Sequence, residues 1–296
     1  MNQPEHAIVV GVPAENGDAA LMFAVAEARR SGSPVHLVHV LQIPGGEPYT
    51  SVYDAAMEQA RAVVEAAHRR ATELAAGDVS VTSELSDSGS IAGELVNRSE
   101  TARMVVVEHR DLGRLRRFFT GSRSSGVAAR AHSAVVVVPA KWRPTKRRPS
   151  PITAAVQDPD EAEDILRAAF EAARERGADL VVLHAWWLAN GYDDGVVDQA
   201  ALDEQERRFQ SELAPGLERF KTRYPMVDTR VDVQHAPPVE AVLAAAARSD
   251  LLVIGRRHHL LSLGSHLGPV SRAVIGRSPV PVLMTPEPER VLVTGP

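Results

Sequence analysis

The chain is written twice. MVVVEHRDLGRLRRFFTGSRSSGVAARAHSAVVVVPA, from Met104 to Ala140, aligns without a gap on LLVIGRRHHLLSLGSHLGPVSRAVIGRSPVPVLMTPE, from Leu251 to Glu287. Each copy reads as an apolar strand, a loop, a glycine at Gly121 or Gly268, a short amphipathic helix and a valine-rich strand ending at Pro139 or Pro286. The openings match more loosely, AIVVGVPAENGDAALMFAVAEARRSGSPVHLVHVL beside PITAAVQDPDEAEDILRAAFEAARERGADLVVLHAW, and both read strand, turn, helix, strand. A unit repeated at this length is a supersecondary assembly, so one copy's fold predicts the other's. With 296 residues, 44% of them apolar, the chain has material for more than one core.

In the first copy, apolar runs at Ala7–Val12, Val35–Leu41, Val79–Leu85, Met104–Val107 and Val135–Val138 alternate with helical stretches rich in alanine, arginine and glutamate. That rhythm marks βαβ units on a parallel sheet. Long helices are expected from about Tyr53 to Leu74 and from about Asp198 to Tyr224. Between the copies lies KWRPTKRRPS, residues 141–150, whose two prolines and five basic side chains describe an extended, solvated linker. The expected domains are residues 1–140 and 151–296. The final strands would lie at sheet edges, and they are expected to pair with one another across a pseudo-two-fold axis.

Charge and composition narrow the class. A formal net charge of -5 argues against a polyanion as main partner, so no nucleic acid is expected. There is no cysteine, which excludes disulfides and thiolate chemistry and suits a reducing compartment. MNQPEHAIVVGVP does not read as a targeting segment, and no apolar run approaches a membrane span. A cytoplasmic protein without a membrane partner is expected. In an open parallel sheet, ligands bind beyond the carboxyl ends of the strands where strand order reverses, which singles out PAEN at 13–16, QDPD at 157–160 and the loops after the fourth strands.

A strand followed by G-x-x-G, nine residues, then G-S or G-T opening a helix, given twice, resembles the tandem universal stress proteins. The resemblance covers residues 5–140 and 151–287. It implies an α/β fold of two Rossmann-like domains of the adenine nucleotide alpha hydrolase-like type, each a five-stranded parallel sheet flanked by helices. It also implies ATP or another adenine nucleotide as ligand, with magnesium accompanying it, and a homodimer or an intramolecular pseudo-dimer with protein partners.

Carried over position by position, the implied site is incomplete in both copies. In the first, the family's aspartate falls on Pro13 and the two loop glycines on Glu108 and Asp111, while Gly121 and Ser122 remain. Pro13, Val40, Gly121, Ser122, Arg123 and Ser124 are the first copy's candidate site. In the second, the aspartate position is Gln157 with Asp158 beside it. Gly255 and Gly268 remain, and His258 and Pro269 replace a glycine and a serine. The candidates there are Gln157, Asp158, Ala185, Gly255, Arg256, Arg257, His258, Gly268, Pro269, Val270 and Ser271.

The substitutions have physical consequences. Glycines in such a loop permit positive backbone angles and close approach to a phosphate. Glu108 and Asp111 would repel a triphosphate, although Arg110, Arg114, Arg116, Arg117 and Arg123 are nearby in sequence. Pro269 removes one N–H donor but suits the first turn of a helix. Val270 and Ser271 N–H groups, the Ser271 hydroxyl and the helix dipole still favour an anion, with Arg256 and Arg257 adding positive charge.

Other chemistry is weaker. His258, His259 and His266 lack the helical spacing of a zinc site. Of Trp186 and Trp187, one is expected in the core and the other bordering an adenine pocket, although core is the preferred reading. His39 and His184, at matching strand ends, read as hydrogen-bonded core imidazoles. No Walker motif, nucleophile elbow or dinucleotide fingerprint occurs. The expected function is a non-catalytic stress-response binding and signalling module holding an adenine nucleotide weakly in the second copy. A nucleotide-independent interaction module and a weak ATP hydrolase are the alternatives.

Overall fold

The protein is described by a computed structural model over residues 3–15, 17–42, 50–109, 123–145, 149–187, 199–256 and 267–286, with the side chains of residues 50–51 and 123–125 outside the description. In the first repeat the strands are β1 (Ile8–Gly11), β2 (Val35–Val40), β3 (Val81–Ser86), β4 (Met104–His109) and β5 (Ala134–Pro139). The helices are α1 (Asp18–Ser31), α2 (Thr50–Ala75), α3 (Ile91–Arg98) and α4 (Arg123–Arg130). The second repeat contributes β6 (Ile152–Ala155), β7 (Leu180–Trp186), β8 (Thr229–His235), β9 (Leu251–Ile254) and β10 (Val282–Met284). Its helices are α5 (Ala162–Arg176), α6 (Gln199–Arg223), α7 (Pro238–Ala246) and α8 (Pro269–Arg277), with a 3-10 turn at Pro159–Glu161 before α5.

The ten strands form one sheet in the order β3-β2-β1-β4-β5-β10-β9-β6-β7-β8, a palindrome of the two repeats. Pairing is parallel within each repeat and antiparallel only at the seam, where Val282, Leu283 and Met284 face Val137, Val136 and Val135. The expected pairing of the final strands is therefore present inside one chain. Strands such as IVVG and LVVLHAW are buried on both faces because helices cover both. Strand alternation divides the core: Ile8, Val10, Leu166 and Phe170 belong to one layer, Val9, Leu95, Leu252 and Val274 to the other. Each layer contains residues of both repeats.

Beyond strand pairing, the repeats are joined by ion pairs. Glu27 of α1, almost fully buried, receives Arg176 of α5, and Arg103 meets Glu175 at 2.8 Å. The start of the segment joining the repeats is anchored: Trp142 N donates to Pro139 O at 2.8 Å, and its indole meets Phe23 edge-on at 5.6 Å. Residues 146–148 and the tail 287–296 lie outside the described residues.

Candidate functional site

Strand order reverses beside β1 in the first repeat and beside β6 in the second, opening a crevice at the carboxyl ends of β1/β4 and β6/β9. Both crevices are present, and their walls correspond. The second is a cleft of about 710 Å³; the first is about 90 Å³. Gly11, Val40, Ile91, Leu95, Val107, Glu108 and Val127 around the small one match Ala155, Ala185, Pro238, Val242, Ile254, Gly255 and Val274 around the large one.

Side-chain size accounts for the difference. Where the first repeat has Val40, Leu95 and Glu108, the second has Ala185, Val242 and Gly255. Leu95 is almost fully buried and comes so close to β1 that a Cβ on Gly11 would stand 2.8 Å from its Cδ1. Both carboxylate oxygens of Glu108 are shielded from solvent. The first crevice is filled largely by its own side chains.

His39 Nδ1 lies 2.8 Å from Val12 O, and His184 Nδ1 lies 3.0 Å from Val156 O. A carbonyl only accepts, so Nδ1 carries the proton in both, and each ring fixes the end of a first strand just before its loop. Phe209 of α6 stacks on His184 at 3.9 Å between centroids. Burial is the main cause holding the His184 pKa below its ordinary value, opposed by the Val156 hydrogen bond and the Glu212 charge.

Of the second-repeat candidates, Gln157, Asp158, Ala185, Gly255, Arg256, Val270 and Ser271 line the large cleft together. Asp158 caps the 3-10 turn, its Oδ1 accepting from Asp160 N at 3.0 Å. Gly268 is the N-cap of α8 and Pro269 its first residue, so the proline starts the helix as expected. The glycines do not act through unusual backbone angles: Gly268 has φ of -64°, and Gly255 is absent from the left-handed set. Gly255 instead makes room for Ile165, whose Cδ1 would lie 2.8 Å from an added Cβ.

Arg256 departs from the expected phosphate-facing role. Buried beneath the cleft wall, its Nη1 donates to Ala131 O at 2.6 Å and its Nη2 to Ser133 O at 3.2 Å, both in the first repeat. Gly255 follows β9, whose neighbour β10 forms the seam with β5, so the first repeat's carbonyls are within reach of Arg256. Arg257, His258, His259 and His266 lie outside the described residues, as do Arg110, Asp111, Arg114, Arg116, Arg117, Gly121 and Ser122. Arg123 and Ser124 open α4, while Pro13 and Val40 line the small crevice.

Neither Trp186 nor Trp187 is among the residues that line the cleft. Ala185 faces it, so alternation turns Trp186 to the other face, where its ring lies 4.3 Å from that of His235; Trp187 is 5.1 Å from the same imidazole. Sequence reasoning missed the plugging role of Leu95, the cross-repeat His132 and an acidic rim of Asp160, Glu161, Glu163 and Asp164. Leu95 opposite Val242 was readable from the repeat alignment; the other placements needed the fold. Asp164 pairs with Arg167 at 2.7 Å and Glu163 with Arg219 at 2.6 Å, which leaves the rim acidic by count. The described residues hold no cluster of three metal-ligating side chains, and no described helix is long and apolar enough to cross a membrane.

The model of the Universal stress protein family matches residues 5–139 and again 150–286. A universal stress protein of Mycolicibacterium smegmatis is 30% identical over 290 residues, covering 95% of this chain and 97% of that protein. One from Mycobacterium tuberculosis is 32% identical over 239 residues, covering 78% of this chain and 74% of its own. Among solved structures, a universal stress protein from Archaeoglobus fulgidus superimposes with a TM-score of 0.69 at 15% identity, over 96% of this chain and 99% of that one, a likeness of fold.

Proposed function

The chain belongs to the universal stress protein family, and from that premise we propose that it is a cytoplasmic stress-response module that holds one adenine nucleotide per chain, in the second-repeat cleft. The supporting observation is the asymmetry of two corresponding crevices, about 710 Å³ against about 90 Å³. The larger falls within the usual range of small-molecule sites. The N-terminus of α8, with Val270 and Ser271 in the wall, offers backbone N–H groups to an anion. The acidic rim disfavours highly charged ligands, so binding weakens from AMP to ATP. Magnesium, where present, rides on the ligand's phosphates rather than on a dedicated protein cage. The role is binding and signalling rather than turnover.

The self-filled first crevice favours a second reading for that repeat: a nucleotide-independent scaffold and interaction surface. Pairing of β5 with β10 gives the chain an internal pseudo-dimer, which takes the place of a second subunit at that seam.

The test is mass spectrometry of the supernatant after denaturing freshly purified protein, followed by calorimetric titration with adenosine, AMP, ADP, ATP and cyclic AMP. The control is Ala185→Val with Val242→Leu, which gives the large cleft the first repeat's side chains. A bound adenine ligand lost at least tenfold in the double variant, with its melting temperature maintained, is the expected result. Submillimolar affinity absent for all five compounds would end the nucleotide reading.

A further inference from the structure

Antiparallel pairing of β10 with β5 places the beginning of β5 beside the end of β10. The turn Ala131–Ser133, which leads into β5, thereby reaches the second repeat's cleft although it belongs to the first. Its His132 is among the residues that line that cleft, together with Thr285 at the end of β10.

The turn is fixed from both sides. Arg256 donates to the carbonyls of Ala131 and Ser133 at 2.6 Å and 3.2 Å, and His132 N donates to the Ser99 hydroxyl at 2.8 Å. The backbone on either side of the imidazole is therefore anchored, one anchor coming from the residue next to Gly255. The side chain itself remains accessible, 58% exposed, with Nε2 3.9 Å from Glu100 Oε1. An anchored backbone carrying an accessible donor suits ligand contact, because little ordering entropy is lost when the ligand arrives.

The arrangement is one-sided. In the gap-free repeat alignment the counterpart of His132 is Pro279, whose side chain has no hydrogen-bonding group, and Pro279 does not line the small crevice. Of the two corresponding crevices, the one with room for a ligand is also the one that receives a polar group across the seam.

We propose that His132 of the first repeat is a ligand-binding residue of the second-repeat cleft, donating a hydrogen bond to an anionic oxygen of the bound nucleotide, so that the binding unit is the tandem chain. The proposal rests on the nucleotide reading above. It assigns the first repeat a direct part in binding even though its own crevice is filled.

Titration calorimetry of the full chain with adenosine and AMP separates the possibilities. His132→Ala should weaken AMP about tenfold and leave adenosine within about twofold, and His132→Gln, which keeps a donor, should recover part of the loss. Glu100→Gln, which removes the neighbouring carboxylate, should leave AMP binding equal or tighter. Thermal melting of each variant checks folding, and the Gln variant retains a polar group should Ala prove unstable. AMP affinity unchanged in a folded His132→Ala protein overturns the assignment while the nucleotide reading stands. So does an equal loss of AMP and adenosine, which marks a merely structural residue. Wild-type protein that binds neither compound removes the nucleotide reading and this assignment with it.

Discussion

At the scale of single residues, His36 and His184 are placed where a proton is unwelcome. His36 is fully buried, with Nδ1 2.9 Å from Thr82 Oγ1; burial lowers its pKa, Glu84 opposes the shift and Arg98 adds to it. His184 is lowered chiefly by burial as well. In the unfolded chain both return to the ordinary value of 6.5. Below that pH the unfolded state takes up protons that the folded state still refuses, so these residues' contribution is complete above 6.5 and declines as pH falls toward the folded values. Melting temperature should therefore drop between about pH 7 and pH 5, and His184→Gln should make the decline shallower. A slope identical to wild type in scanning calorimetry would mean that His184 titrates alike in both states. Sequence alone made His39 and His184 core imidazoles through their matched positions, but the identity of their acceptors depended on where β1 and β6 end.

At the scale of elements, α3 and β1 fit each other through Gly11 and Leu95. The second repeat uses Ala155 and Val242 at these positions, a larger strand residue against a smaller helix residue. Adding a methyl at Gly11 brings it to 2.8 Å from Leu95 Cδ1. The residual space of about 90 Å³ lets Leu95 shift, which keeps the expected cost of Gly11→Ala near 1 kcal/mol. Gly11→Ala with Leu95→Val reproduces the second repeat's pair and should recover most of that loss in urea denaturation. Equal destabilisation by the single and double changes would show that the two positions do not share the space. Helix and strand existence was legible because hydrophobic periodicity survives from one copy to the other. The long helices expected at about 53–74 and 198–224 are observed at Thr50–Ala75 and Gln199–Arg223. The difference between the crevices was less legible, since it depends on three side chains from separate elements meeting at one point.

At the scale of the whole molecule, a continuous ten-stranded sheet and shared core layers predict one cooperative unfolding event. Calorimetry should show a single peak, and two resolved peaks would show that the repeats unfold independently. Glu27 is the sensitive point of the seam between the repeats, because its loss leaves Arg176, only 8% exposed, without its carboxylate. Glu27→Ala should cost about 3 kcal/mol, a loss typical of breaking a buried pair on one side only, read as a lowered denaturation midpoint. An unchanged midpoint would mean that water or a rearranged side chain replaces the pair.

The duplicated strand–loop–helix–strand pattern determined by itself that the chain builds two α/β units with parallel strands, because period and apolar alternation are local properties that each copy states independently. It also determined that neither motif is complete. Only the tertiary structure decided that Leu95 and Glu108 fill one crevice while Val242 and Gly255 leave the other open, that Arg256 turns across the seam, and that His132 enters the second cleft from the first repeat. These outcomes depend on distances between residues far apart in sequence, and those distances are set by the antiparallel union of β5 with β10.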